Sequence, residues 1–242
     1  MPVSRIYQPD PITLGMLQLD EKASHHLARV LRAATNDEVV IFNGEGGEYH
    51  GVINQINKKN VIVEMKKFVD RESESPVSIS LAQGIARGEK MDFVIQKAVE
   101  LGVSEIFPVI TERCNMRLDQ ERSQKRLQHW QAVVISACEQ SGRNRLPVVH
   151  APQSLQAWLE NVDAEKKFVL SPHVHSKLED TTGKPATLAI LIGPEGGLSE
   201  KEMQAAISDG FVALNLGPRI LRTETAAVTV LSVLQFHFGD LR

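Results

Sequence analysis

This 242-residue chain has few cysteines, no long apolar run and no strong charge of either sign. No apolar stretch approaches the roughly 20 residues of a membrane-spanning helix, so no role within a membrane is expected. The opening MPVSRIYQPD has no apolar signal core, and nothing in it argues for export. The only cysteines, Cys114 and Cys138, are far apart and lack metal-type spacing. That excludes a disulfide framework and fits reduced thiols of a cytoplasmic protein. A formal net charge of −3 does not advertise nucleic acid binding. Phosphate loops are missing as well. No G-x-x-x-x-G-K-[ST] run and no G-x-G-x-x-G opening of a helix occurs, which excludes the two commonest nucleotide cradles.

What is present is ordinary in bulk, with 42% hydrophobic and 24% charged residues, and suits one large globular domain or two modest ones. Residues 1–70 read as short strands around one helix, a small β-barrel-like module. Asp20 can cap EKASHHLARVLR, EVVIFNGEGGEYHGVINQI and NVIVEMKKF read as strands, and Asn43-Gly44 is a turn. The polar, Pro-terminated stretch at 71–76 reads as a linker. Over 77–242 strands and helices alternate, which predicts an α/β domain with a mostly parallel sheet. EKMDFVIQKAVELG and DQERSQKRLQHWQAVVISACEQSG are its clearest helices, closed by Gly102 and Gly142. Trp130 and Trp158 fall in helical segments as packing residues.

Local charge is less even than the total. Between Arg113 and Arg145, seven bases (Arg113, Arg117, Arg122, Lys125, Arg126, Arg143, Arg145) face Asp119, Glu121 and Glu139. Such a surplus is either a solvated helix face or a phosphate-binding patch. His173-x-His175 has no third ligand in view, so no metal is expected.

Two stretches share one grammar. In LIGPEGGLSEKE an apolar strand runs into Gly193-Pro194, and Ser199 with Glu202 forms a capping box for the next helix. In LGPRILRTETAA a strand again ends at Gly217-Pro218, and Thr223 or Thr225 can cap the last helix, with Glu224 at its positive end. That helix is apolar nearly all round and requires burial in a core or against a partner. Ligands of open α/β sheets bind beyond strand carboxyl ends, so the two loops together predict a pocket.

These loops resemble the signature loops of the SPOUT-class RNA methyltransferases. The chain is more closely similar to the bacterial 16S rRNA uridine-N3 methyltransferase family (RsmE). RIY at 5–7, HLARVLR at 26–32, RGEKMDFVIQKAVELGV at 87–103, ERC at 112–114 and ACEQSGRNRLP at 137–147 carry the same resemblance. Asn36-Asp37 and Asn43-Gly44 depart mildly from the family's usual Gly-Asp and Asp-Gly. The resemblance implies a SPOUT-type domain with a C-terminal trefoil knot beside an N-terminal PUA-like β-barrel RNA-binding module. It also implies a cytoplasmic homodimer, and S-adenosylmethionine (SAM) bent among three strand-end loops. The implied partner is 16S rRNA in the small ribosomal subunit, with no DNA and no membrane, and the implied reaction is methyl transfer to uridine N3 in the decoding region. A related enzyme acting on tRNA, or a non-catalytic RNA-binding assembly factor, is the alternative.

Within that frame the expected cofactor residues are Leu170, Ile192, Gly193, Pro194, Glu195, Gly197, Leu216, Gly217, Leu221, Arg222, Thr223, Thr225 and Ala226. Uridine N3 carries a weakly acidic imide proton, so its anion must be stabilised. Arg222, always charged and able to donate two parallel bonds, is the expected catalytic cation. Glu224 is either the base or a helix cap. RNA contacts are expected from Arg5, Tyr7, His26, Arg29, Arg32, Arg87, Lys90, Arg143 and Arg145.

Overall fold

The computed structural model describes residues 3–57, 60–114, 120–172, 174 and 183–242. The chain forms two compact units. The first takes residues 1–74 together with 138–146, and the second takes 75–137 and 147–242. The sequence division at 70 and 77 did not anticipate the return of 138–146.

In the first unit, β1 (Ser4–Tyr7), β2 (Gly15–Gln18), β3 (Glu38–Phe42), β4 (Glu48–Ile56) and β5 (Val61–Val69) form one sheet in the order β1-β3-β4-β5-β2. Alternation along β5 buries Val61, Val63 and Met65 with Ile6, Leu27, Ile41 and Ile53. Asp20 caps α1 (Glu21–His25) through a bond from the Ala23 N–H at 2.7 Å, and the helix continues as a π-turn over His26–Val30. Asn36 sits at φ 73°, a conformation that Gly and Asn tolerate best, which explains why Asn can stand where the resembled family often has Gly. The expected linker is not a loose tether at its start. Arg71 reaches Glu48 at 3.2 Å, Glu72 pairs with Arg145, and Glu74 pairs with Arg143. Each charge there finds its complement within the same unit.

In the second unit, β6 (Ser78–Gly84), β7 (Glu105–Ile110), β8 (Val148–Val149), β10 (Lys166–Leu170), β11 (Thr187–Ile192) and β12 (Val212–Leu214) run in the order β12-β10-β11-β6-β7-β8. Short β9 (Gln153–Ser154) also pairs with β7. Every pairing is parallel. Around the sheet lie α2 (Glu89–Glu100), α3 (Gln120–Ser141), α4 (Leu155–Leu159), α5 (Glu200–Ser208) and α6 (Thr223–Phe238). After Thr187, β11 is a continuous apolar run and is buried along its length, as for a strand covered on both faces. Ala82, Val109, Val169, Ala189 and Leu191 pack with Trp158 and Phe211. Gly102 and Gly142 follow α2 and α3 at φ 76° and 81°, the left-handed stop that the sequence indicated. No helix among the described residues is long and apolar enough to cross a membrane.

Candidate functional site

The carboxyl ends of β10, β11 and β12 are neighbours because those strands are adjacent and parallel. Their loops and the head of α6 enclose a cavity of about 450 Å³ in the second unit. Leu170, Ile192, Gly193, Pro194, Glu195, Gly197, Leu216, Leu221, Arg222, Thr223 and Ala226 all line it. Gly217 and Thr225 do not; Thr225 is exposed on α6. The lining also includes residues not expected at the cofactor, among them Ser171, Pro172, Asn215, Met203 and Arg113. Ser171 and Asn215 directly follow β10 and β12, so the strand-end rule could have found them. Asn215 Nδ2 ties the first loop by donating to the carbonyl of Val174 at 2.8 Å. Lys90, expected at the RNA, and Arg113, named in the basic run, come from other elements, so nothing local placed them at this cavity.

The Gly-Pro loop after β11 is held from three sides. Ser199 and Glu202 form the expected capping box at 3.2 and 2.8 Å, and the other oxygen of Glu202 accepts from the Glu112 N–H at 2.7 Å. Arg113 donates to the Gly196 carbonyl at 2.9 Å. Buried Gln83 donates to Thr223 Oγ1 at 2.9 Å, and that hydroxyl donates to the Gly193 carbonyl at 2.7 Å. This last bond corrects an expectation. Thr223 does not cap α6, because its hydroxyl is committed to Gly193; the N-cap position is Arg222, with no side-chain cap bond. A Cβ on Gly193 would lie 2.8 Å from the backbone of Gly197 and Leu198, so only glycine fits the turn.

Charged groups gather at the rim. Lys90 Nζ lies 3.3 Å from Glu195 and 3.9 Å from Glu224. Burial would raise the Glu195 carboxyl, but N–H bonds from Arg87 and its own backbone, with the Lys90 ammonium, hold it below the usual carboxylate range. Glu224 is 17% exposed, and its Oε2 has no hydrogen-bond partner among the described residues. Arg222 is exposed at the head of α6.

The expected RNA residues fall into two groups. Arg29, Arg32, Arg87 and Arg145 are exposed. Arg143 is not: only 4% of its side chain is accessible, and its guanidinium is engaged by Glu74. Arg5 is likewise held inside the first unit by Glu48 and Asn144, each at 2.6 Å. Tyr7 packs on Phe42, and its N–H donates to Glu139 at 3.1 Å. His26 Nδ1 lies 3.5 Å from the same carboxylate, which burial pushes up. Within the basic run, Lys125 pairs with Glu121 at 2.6 Å on an exposed helix face, while Arg117 and Asp119 lie outside the described residues. So do His173 and His175, the pair considered for a metal. Among the described residues no three His, Cys, Asp or Glu side chains gather as a metal site.

Comparison with known proteins finds two family matches along the chain. Residues 73–235 match the RNA methyltransferase domain family, and residues 19–66 match the RNA methyltransferase PUA domain family. The ribosomal RNA small subunit methyltransferase E of Buchnera aphidicola from Schizaphis graminum is 37% identical over 93% of this chain and 92% of its own. That of Bacillus subtilis is 30% identical over 90% and 89%. Among solved structures, a methyltransferase from Legionella pneumophila with bound SAM superposes with a TM-score of 0.97 at 41% identity, covering all of both chains. The small subunit methyltransferase E of Neisseria gonorrhoeae bound to SAM gives 0.93 at 38% identity, over 99% and 100%.

Proposed function

The chain belongs to the ribosomal RNA small subunit methyltransferase E family, and on that premise we propose that it transfers a methyl group from SAM to N3 of a uridine in the decoding region of 16S rRNA. The observation that carries this reading is the convergence of three strand-end loops on one cavity of about 450 Å³. Its volume and its mixture of aliphatic side chains and exposed backbone suit a cofactor of SAM's size. The tight Gly193 turn lets main chain, rather than side chain, form one wall. Ile192, Leu170, Leu216 and Leu221 would flank the adenine, and backbone groups of the loops would bind its edge. When bound, SAM supplies an electrophilic methyl on a sulfonium.

The chain's own residues supply the rest. Arg222 donates to a uridine carbonyl oxygen as negative charge spreads over O2, N3 and O4. Glu224 has a buried carboxylate oxygen that faces Lys90 at 3.9 Å but accepts no hydrogen bond among the described residues, and no side-chain cap bond closes the head of α6, which favours proton acceptance over the cap. Lys90 holds that carboxylate and Glu195 together at the rim. Arg29, Arg32, Arg87, Lys90 and Arg145 supply phosphate contacts, and Tyr7 and His26 contribute from the first unit.

The finer architecture belongs to the same proposal: a trefoil knot in the second unit, a closed barrel in the first, and a cytoplasmic homodimer. Support for the dimer comes from α6, where the apolar side chains of Phe236 and Val233 are 64% and 37% exposed. Nucleoside analysis of small-subunit rRNA tests the function. Cells without the protein should lose 3-methyluridine from the decoding region and regain it with the wild-type chain. Its persistence without the protein, or methyl incorporation only into tRNA, overturns the substrate assignment.

A further inference from the structure

A second cavity of about 450 Å³ lies against the first, within the same unit. The Pro194-Glu195-Gly196 turn, Lys90 and Arg113 line both, so the turn is a partition between them. The second cavity adds Arg87, Ile85 and Cys114. Its charge is one-sided, with two guanidiniums and an ammonium against the single carboxylate of Glu195. That carboxylate is already engaged by the Arg87 N–H at 3.0 Å and by Lys90 at 3.3 Å, so it repels an incoming anion little. Arg113 uses one donor on Gly196, and a guanidinium has five. Buried Ile85 and the Pro194 ring give an apolar floor. The volume falls within the roughly 300–1,000 Å³ of small-molecule sites and admits one nucleotide rather than a helix.

We propose that this second cavity receives the ribose-phosphate of the RNA nucleotide next to the methylated base, its phosphodiester held by Arg87 and Arg113, with the partition turn separating it from the cofactor. The assignment rests on the methyltransferase reading above. It places the RNA chain on the far side of the turn that walls the SAM cavity. A site reached through that turn reads RNA backbone rather than base sequence, since its donors are cations and not base-edge pairs.

Cys114 offers a probe inside the cavity. It is partly accessible, whereas Cys138 is fully buried and burial pushes its thiol up to about 12, so a thiol reagent reports Cys114 alone in the native protein. The full-length protein is alkylated with N-ethylmaleimide, and intact mass is followed over time. S-adenosylhomocysteine alone should leave the rate unchanged. S-adenosylhomocysteine with undermethylated small ribosomal subunits should slow it about fivefold or more, and inorganic phosphate should have little effect. In parallel, exposed Arg87 is replaced by Gln. R87Q should raise KM for subunits about tenfold, keep the SAM dissociation constant, and make the salt dependence of RNA affinity shallower by about 0.7 in logarithmic slope, one lost single-strand contact. Subunits that co-sediment with the protein yet leave Cys114 labelling unchanged overturn the proposal. So does protection by phosphate alone equal to that by subunits, or an unaltered KM and salt slope in R87Q. Wild-type protein that methylates no RNA at all removes the function and this cavity's role together. Methyl transfer without protection removes the cavity's role alone.

Discussion

Arg222 and Glu224 are two positions apart yet sit in different states, one exposed and the other largely covered. Arg222→Ala should lower kcat about 10²–10³-fold, the usual effect of removing one donor to a developing oxyanion, with a small change in SAM affinity by calorimetry. Equal losses in both would identify a binding residue instead. A second prediction concerns pH. Burial alone would raise the Glu48 carboxyl, but hydrogen bonds from Arg5 and His50 and the charges of Arg5 and Arg71 bring it to about 2. Its native value is below its unfolded value, so its contribution to stability is complete above the ordinary 4.5 and is lost as pH falls toward 2. Urea melts of Glu48→Gln should therefore show a weaker acid dependence in that window than the wild type. An unchanged slope would mean the pair is as strong in the unfolded chain. Arg143 and Arg5 show why the residue list was only partly legible. Sequence reveals that a guanidinium is present but not that Glu74 or Glu48, tens of residues away, already holds it.

At the scale of elements, local grammar was readable and distant grammar was not. The Ser199–Glu202 capping box, the Asp20 cap and the glycine stops of α2 and α3 are contacts within four residues, and the sequence contains both partners side by side. Strands β1 and β2, four residues each, were too short to leave a pattern of alternation. The Gln83–Thr223–Gly193 chain joins residues up to 140 positions apart, so Thr223 read as a cap when its hydroxyl serves another loop. Thr223→Val removes Gly193's donor and Gln83's acceptor in a buried place, and should cost about 1–3 kcal/mol in chemical denaturation. It should also weaken SAM binding, and Thr223→Ser should restore both. Serine failing to rescue would point to the lost methyl rather than the hydroxyl. Gly193→Ala pushes a Cβ into the Gly197–Leu198 backbone and should cost about 1–3 kcal/mol, read from the shift of the same melt.

For the whole molecule, the alternation of elements from 77 onward was enough to predict a parallel sheet, and seven strands now stand in it. Strand order was not predictable, because it depends on which distant strands pair; β6 lies beside β11, about a hundred residues away. The proposed dimer is tested here. Phe236→Glu should shift the sedimentation profile toward monomer and reduce activity in proportion, while far-ultraviolet circular dichroism stays native. A variant that remains dimeric would place the interface elsewhere.

The first unit is not one continuous stretch of chain. Arg143 and Arg145 pair with Glu74 and Glu72, and Asn144 accepts from Arg5, so those two carboxylates have their partners only when 138–146 is present. On the ribosome that segment is made about 70 residues after Glu74, a delay of several seconds at about 5–20 residues per second. During translation the nascent N-terminal module therefore waits, with acidic side chains unmatched, and an excised fragment ending at residue 76 would remain permanently in that unfinished condition.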